Sequence, residues 1–209
     1  MKKLSFLIVD DEKLVREGLR ALLEKEDFVK EIYEASNATE FIDQLEHRID
    51  IVLMDFRLKE SNGLDLIMHL KAERADSKII AITGLDGTEL VLNLLKAGVH
   101  GIVYKLAGYS EIVKTLKEVS LNGSYFSDEI MEVIRENAHR WDVVPPVVLN
   151  MPEHDLLMAI ASGLTTKQIA DRLKMSPSTA ETYRIRLIKK VGVSNTAGLL
   201  AYAYRNGIL

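Results

Sequence analysis

The sequence predicts an α/β domain, a five-stranded parallel sheet doubly wound with helices, followed by a small all-α domain of four helices. Three observations carry this. Short apolar runs alternate with amphipathic helical stripes through the first 120 residues. A Pro145-Pro146 pair then interrupts the chain, where neither residue can sit inside a helix. Beyond it, the tail has helical periodicity, no strand signal, and the opposite charge.

The alternation runs in order. "KLSFLIV" reads as a strand, and "DEKLVREGLRALLEKE" follows with Leu14, Val15, Leu19, Leu22 and Leu23 on one helical stripe. "EIYEA" is a strand and "ATEFIDQLEHR" a helix. "DIVLMD" is a strand and "GLDLIMHLKAE" a helix. "KIIAIT" is a strand, and "GTELVLNLLKAG" a helix stopped by Gly98. "HGIVYK" and "YSEIVKTLKEVSL" complete five strand–helix pairs. The strands are almost wholly apolar, as expected when helices cover both faces of a parallel sheet. "SDEIMEVIREN" predicts one more short helix before the prolines. The expected boundaries are residues 1–121 for the first domain, 122–148 for a linker with a short helix, and 149–209 for the tail domain.

The 209 residues carry a net charge of −4, which hides an asymmetry. From Val147 onward there are eight Lys or Arg against four Asp or Glu, so the rest of the chain is strongly acidic. A basic end on an acidic body suggests two domains, with nucleic acid as a candidate partner for the tail. The chain has no cysteine, which excludes disulfides and thiolate metal sites. "MKKLSFLIVDDE" starts with lysines and an apolar run, but the run meets two aspartates at once and reads as a first strand rather than a signal peptide. No segment approaches the roughly 20 apolar residues of a membrane span. The expectation is a cytoplasmic protein with no membrane partner.

Ligands of a parallel α/β sheet bind at the carboxyl ends of its strands. The first strand ends in Asp10 and Asp11, the third in Asp55, the fourth in Thr83 and the fifth in Lys105. Each alone has a plain structural reading: Asp10 or Asp11 as a helix N-cap, Asp55 as a turn residue, Thr83 as a strand-end hydroxyl, Lys105 as a solvated side chain. Together they make a phosphoryl-transfer site. Three clustered carboxylates repel and need a cation, and hard oxygen ligands suit Mg²⁺. A carboxylate can attack phosphorus to form an acyl phosphate. Lysine and threonine offer a charge and a hydroxyl donor to the phosphoryl oxygens.

"LIVDDE", "IVLMDFRLKESNGLDL", "AITG" and "GIVYK" stand in the order and spacing of a receiver domain, and residues 1 to about 120 resemble that of a two-component response regulator, a flavodoxin-like fold. The resemblance implies that Asp55 accepts phosphate from a sensor histidine kinase. It also implies that Asp10, Asp11 and Asp55 hold Mg²⁺ with the backbone carbonyl of Arg57, and that Thr83 and Lys105 contact the phosphoryl group. The family's switch aromatic is replaced here by Ile102, with Tyr104 beside the lysine, and its usual proline after the lysine by Leu106. Gly84 keeps the small residue that admits the phosphoryl group. Arg57 and Leu85 are expected to tune the acyl-phosphate lifetime.

In the tail, Gly163 ends one helix, Thr165 or Thr166 caps the next, and Ser176 with Pro177 opens a basic helix. This helix is expected to turn Ala180, Ile185, Leu187, Ile188 and Val191 partly inward, leaving Thr179, Glu181, Tyr183, Arg184, Arg186, Lys189 and Lys190 outside. A short helix, a tight turn and a basic helix make a helix-turn-helix. "LNMPEHDLLMAIASGLTTKQIADRL" and "SPSTAETYRIRLIKKVGVSN" are similar to the LuxR-type domain of the NarL/FixJ response regulators. That resemblance implies DNA contacts from Lys167, Thr179, Tyr183, Arg184 and Lys189, and a homodimer contact on the last helix; charge adds Arg186 and Lys190. Pro152 and Tyr183 depart from the arginine and histidine usual in the family.

The expected function is a transcriptional regulator whose phosphorylation at Asp55 alters dimerisation and DNA binding, and not an enzyme beyond its own phosphorylation and dephosphorylation. Two alternatives stand beside it. One is a DNA-binding protein whose receiver no longer switches, motivated by Ile102 and Leu106. The other is a haloacid-dehalogenase-like phosphatase, which needs a second carboxylate two residues after Asp55, where this chain has Arg57.

Overall fold

In the computed structural model, residues 3–58, 61–74, 76–84, 87–142 and 144–209 are described, with only the backbone of 61 and 62. Leu85 lies outside them. The chain divides into two compact units: residues 1–86 with 99–117, and residues 87–98 with 118–209.

In the first unit, β1 (Leu4–Val9), β2 (Val29–Ala35), β3 (Ile51–Asp55), β6 (Lys78–Thr83) and β7 (Gly101–Tyr104) form one sheet in the order β2-β1-β3-β6-β7. Every pairing is parallel. This is the doubly wound order, with its switch point between β1 and β3. The apolar runs predicted as strands are the core: Phe6 to Val9, Ile51 to Met54 and Ile79 to Ile82 are each at most 3% exposed. A two-stranded antiparallel ribbon, β4 (Arg57–Leu58) with β5 (Ser61–Asn62), lies just after Asp55. Strands of two residues carry no periodicity, so no sequence pattern marks this ribbon.

Helix α1 (Lys13–Leu23) packs on β1 and β2, and α2 (Ala38–Gln44) on β2. Helix α3 spans Gly63–Glu73. Glu12, not Asp10 or Asp11, is the N-cap of α1, and its side chain makes no capping bond. The helix-cap reading of the two aspartates therefore fails. Helix α5 (Gly108–Asn122) begins in this unit, and its last turn groups with the second.

The second unit contains α4 (Thr88–Ala97), α6 (Asp128–Glu136), α7 (Met151–Ala161), α8 (Thr166–Arg172), α9 (Pro177–Val191) and α10 (Thr196–Arg205). The expected stop at Gly98 is present as a left-handed C-cap with φ 81°. Asn150 and Thr165 form capping boxes with Glu153 and Gln168, which settles the choice between Thr165 and Thr166. Ser176 and Asn195 cap α9 and α10 through their side chains. Helix α4 packs against α6 and α10, with Asn195 Nδ2 donating to the Leu95 carbonyl at 3.0 Å. Among the described residues no helix is long and apolar enough to cross a membrane.

Candidate functional site

The switch point of the sheet brings the carboxylates together. Asp10 follows β1 and Asp55 ends β3, and carboxylate oxygens of Asp10, Asp11 and Asp55 all lie within 4.8 Å of one another. Asp10 is 2% exposed, Asp55 5% and Thr83 1%. Two buried acids this close need a cation, and Lys105 supplies one: its Nζ lies 2.9 Å from Asp10 Oδ2 and 2.8 Å from Asp55 Oδ2. Glu12 Oε1 is a more distant third partner at 3.4 Å. Glu12 was not among the expected site residues, although it directly follows the aspartate pair.

Backbone amides fix the two acids. The Glu12 N–H donates to Asp10 Oδ1 at 2.8 Å, and the Arg57 N–H donates to Asp55 Oδ1 at 3.0 Å. Asp55 is thus both a turn residue and a member of the cluster. Burial pushes the Asp10 carboxyl above its usual value; Lys105 and the Glu12 amide pull it back, and the charge of Asp55 pushes it up again. Burial works against the charge on Lys105, but the hydrogen bonds and charges of Asp55 and Asp10 prevail and hold the ammonium well above the ordinary lysine range.

An open cleft over this cluster is lined by Asp11, Glu12, Asp55, Arg57, Leu58, Gly84 and Lys105. A Cβ added at Gly84 would meet only the Lys105 side chain, at an ordinary 3.8 Å, so glycine itself is not required there. Gly63 is stricter, since a Cβ there would sit 2.8 Å from the Phe56 carbonyl oxygen, in the turn that carries Asp55. Ile102 is 4% exposed and pairs with Ala81 inside the sheet, while Tyr104 pairs with Thr83. The donor set fits a hard divalent cation: three carboxylates at one open rim, and Arg57 within reach on the same cleft.

In the second unit, α8 and α9 form the helix-turn-helix. Helix α9 buries Ala180, Arg184, Leu187 and Val191, a stripe at i, i+4, i+7 and i+11. This corrects two expectations. Ile185 was expected inward and is 45% exposed; Arg184 was expected outside and is 7% exposed. At about 100° per residue, Arg184 lies only about 40° from Ala180 around the helix, and Ile185 about 140°. The guanidinium is accommodated inside by an ion pair with Glu181.

The remaining candidates separate by what they touch. Lys167 and Lys189 are exposed, and neither has an ion-pair partner among the described residues. Tyr183 is 40% exposed, with the Arg186 guanidinium 6.0 Å from its ring centre. Lys190 is paired with Glu153 at 2.5 Å. Thr179 is half-buried, its hydroxyl 2.7 Å from that of Ser176. The N-terminal amide of α8 is also held, the Thr166 N–H donating to Asn122 Oδ1 at 2.6 Å. No local pattern in the sequence could have revealed that bond, which spans 44 residues.

The doubly wound sheet with its acidic switch point, and the helix-turn-helix beyond it, define a receiver domain joined to a LuxR-type regulator domain. Comparison with known families agrees: residues 6–117 match the response regulator receiver domain, and residues 148–203 match the bacterial regulatory proteins of the luxR family. The chain belongs to the NarL/FixJ family of response regulators, and it is a response regulator acting as a transcription factor. It is 30% identical to the transcriptional regulatory protein MctR of Rhizobium johnstonii, over 99% of this chain and 96% of that one. It is 30% identical to the nitrate/nitrite response regulator NarP of Escherichia coli, over 96% of this chain and 95% of that one. Among solved structures it is similar to the RcsB response regulator of Salmonella typhimurium, with a TM-score of 0.58 and 25% identity, covering 97% of this chain and 98% of that one. An RcsB–DNA complex shares the fold with a TM-score of 0.60 at 24% identity, covering 96% and 98%. These relatives are transcriptional regulators rather than enzymes of a metabolic reaction.

Proposed function

We propose that Asp55 accepts a phosphoryl group from a sensor histidine kinase and that this modification changes how the chain dimerises and binds double-stranded DNA. The observation that supports it best is the convergence of Asp10, Asp11, Asp55 and Lys105 at the switch point of the sheet. A carboxylate oxygen of Asp55 attacks phosphorus, the bond from phosphorus to the donor's imidazole nitrogen breaks, and that nitrogen keeps the electron pair. Lys105 would neutralise the incoming phosphoryl oxygens, and Thr83 would offer them a hydroxyl donor. Asp10, Asp11 and Asp55, with the Arg57 carbonyl, would hold Mg²⁺, which supplies charge neutralisation for the transfer. On the second unit, Lys167, Tyr183, Arg186, Lys189 and Lys190 are exposed and are candidates for DNA contact.

The test is to incubate the full chain with acetyl phosphate and Mg²⁺ and to follow intact mass, sedimentation and DNA affinity together. The expected result is a mass gain of one phosphoryl group, absent in Asp55→Asn, together with a change in self-association and in DNA affinity. A mass gain with no change in either would support the alternative of an unswitched DNA-binding protein. No mass gain in the wild type would remove Asp55 as acceptor.

A further inference from the structure

We infer that Ile185, with the methyl group of Thr182 beside it, reads the C5-methyl of a thymine in the DNA major groove and so sets part of the sequence preference. This rests on the reading of α9 as the helix that enters the groove. The buried stripe of α9 fixes the opposite stripe, and Ser178, Thr182, Ile185 and Lys189 occupy it at i, i+4, i+7 and i+11, all exposed. A β-branched apolar side chain at the middle of that face leaves 45% of itself open to solvent, well outside the buried stripe.

The polar groups around it are already engaged within the helix. The Thr182 hydroxyl donates to the Ser178 carbonyl at 2.9 Å. The Ser178 and Thr179 hydroxyls are bonded to that of Ser176, at 2.9 and 2.7 Å. The Arg186 guanidinium lies toward the Tyr183 ring. The centre of the stripe therefore presents carbon, and Arg186 and Lys189 beside it present positive charge. A protein surface with an apolar centre and cationic flanks complements a groove with an apolar floor feature and phosphate walls. In the major groove that apolar feature is the thymine methyl, which cytosine, adenine and guanine lack. Had the outward residue been Arg184, as its charge suggested, the natural partner would have been guanine.

The experiment starts from duplexes that the full-length chain enriches from a random library. Each thymine in an enriched duplex is then replaced by uracil, which removes the methyl group and nothing else. The wild type should lose about fourfold in affinity at one position per half-site, the loss expected for one methyl-sized apolar contact. Ile185→Ala should fold normally, bind more weakly, and show no loss at that position; Thr182→Ser should keep it in part. Absence of any methyl-sensitive position, or its persistence in Ile185→Ala, would overturn the inference. If Ile185→Ala instead altered self-association and left the sequence preference intact, the face would be a protein contact and the inference would fall. Failure of the wild type to enrich any duplex would remove the DNA reading of α9 itself.

Discussion

Gly123 lies directly beneath the guanidinium of Arg184. Gly123 follows the last turn of α5 with φ +77°, its N–H donating to the Val119 carbonyl at 2.9 Å. A Cβ on it would overlap the Arg184 guanidinium and approach Glu181 Oε1 to 2.9 Å. The seat of Arg184 therefore exists because this residue has no side chain. Gly123→Ala should cost about 1–2 kcal/mol from the left-handed backbone alone. It should also expel Arg184 from its seat. Denaturant unfolding reads the first effect. Faster modification of Arg184 by an arginine reagent reads the second, and equal reactivity in both proteins would contradict it.

That relationship shows where sequence reading stops. Four of the five strands and the residues at their ends were legible because buried parallel strands are near-continuous apolar runs that stop where the ligand rim begins; β2, VKEIYEA at the sheet edge with only Ala35 buried, carries a weaker pattern. Asp10, Asp11, Asp55, Thr83 and Lys105 could be listed before any coordinates, and Asp10, Asp11, Asp55 and Lys105 do converge. The exchange of Arg184 and Ile185 was legible in helical phase but not in polarity. They are neighbours on α9, and hydropathy assigns them the reverse of their observed places. Helical phase, set by Ala180, Leu187 and Val191, puts Arg184 on the buried stripe, and Gly123, about 60 residues away in the chain, leaves the room its guanidinium needs. The grouping of α4 with α6 and α10 is likewise invisible to local periodicity, because the pattern of α4 tells only that one face is apolar.

Lys105 is the counter-ion of two buried acids, so its removal should be costly and Mg²⁺ should repair it. Lys105→Ala leaves Asp10 and Asp55, 2% and 5% exposed, facing each other with no shared cation. The expected cost is about 3 kcal/mol without metal. A divalent ion at a hundred times its Kd stabilises a protein by about 2.7 kcal/mol. In this variant the ion also relieves the repulsion, so its effect on the melting temperature should exceed that in the wild type. Thermal melts with and without Mg²⁺ measure this, and equal shifts in the two proteins would mean that Lys105 and the ion do not serve the same charges.

The raised carboxyl of Asp10 predicts a slope of stability with pH. Without metal, the folded chain holds the Asp10 proton more tightly than the unfolded chain does, because burial disfavours the carboxylate. The stabilisation is complete below the ordinary aspartate range and is lost as pH rises through the raised folded value. Asp10→Asn cannot titrate, so the difference in unfolding free energy between wild type and variant should move against the wild type as the pH rises through that window. The contribution of Lys105 has the same sign, because its folded value is also raised, but it disappears only far into the alkaline range. Urea unfolding at a series of mildly acidic pH values checks the Asp10 slope. A difference that moved in favour of the wild type would show that Lys105 outweighs burial at this site.

Three of the four cations of α9, Arg184, Lys189 and Lys190, should contribute unequally to DNA binding, in an order set by what already holds them. Each phosphate contact adds about 0.9 to the slope of log affinity against log salt. Lys189 is exposed and lies on the outward stripe with Ile185, so Lys189→Ala should lower the slope by about 1. Lys190 gives part of its charge to Glu153 at 2.5 Å, so Lys190→Ala should lower the slope by less and loosen the start of α7 slightly. Arg184 is buried against Glu181, and Arg184→Ala should leave the slope unchanged while costing on the order of 1 kcal/mol in lost packing. Salt titrations of the three variants on one duplex rank them directly. A slope lowered most by Arg184→Ala would mean that α9 gives up the observed seat of Arg184 on binding DNA, and the assignment of Ile185 to the groove floor would have to be redrawn with it.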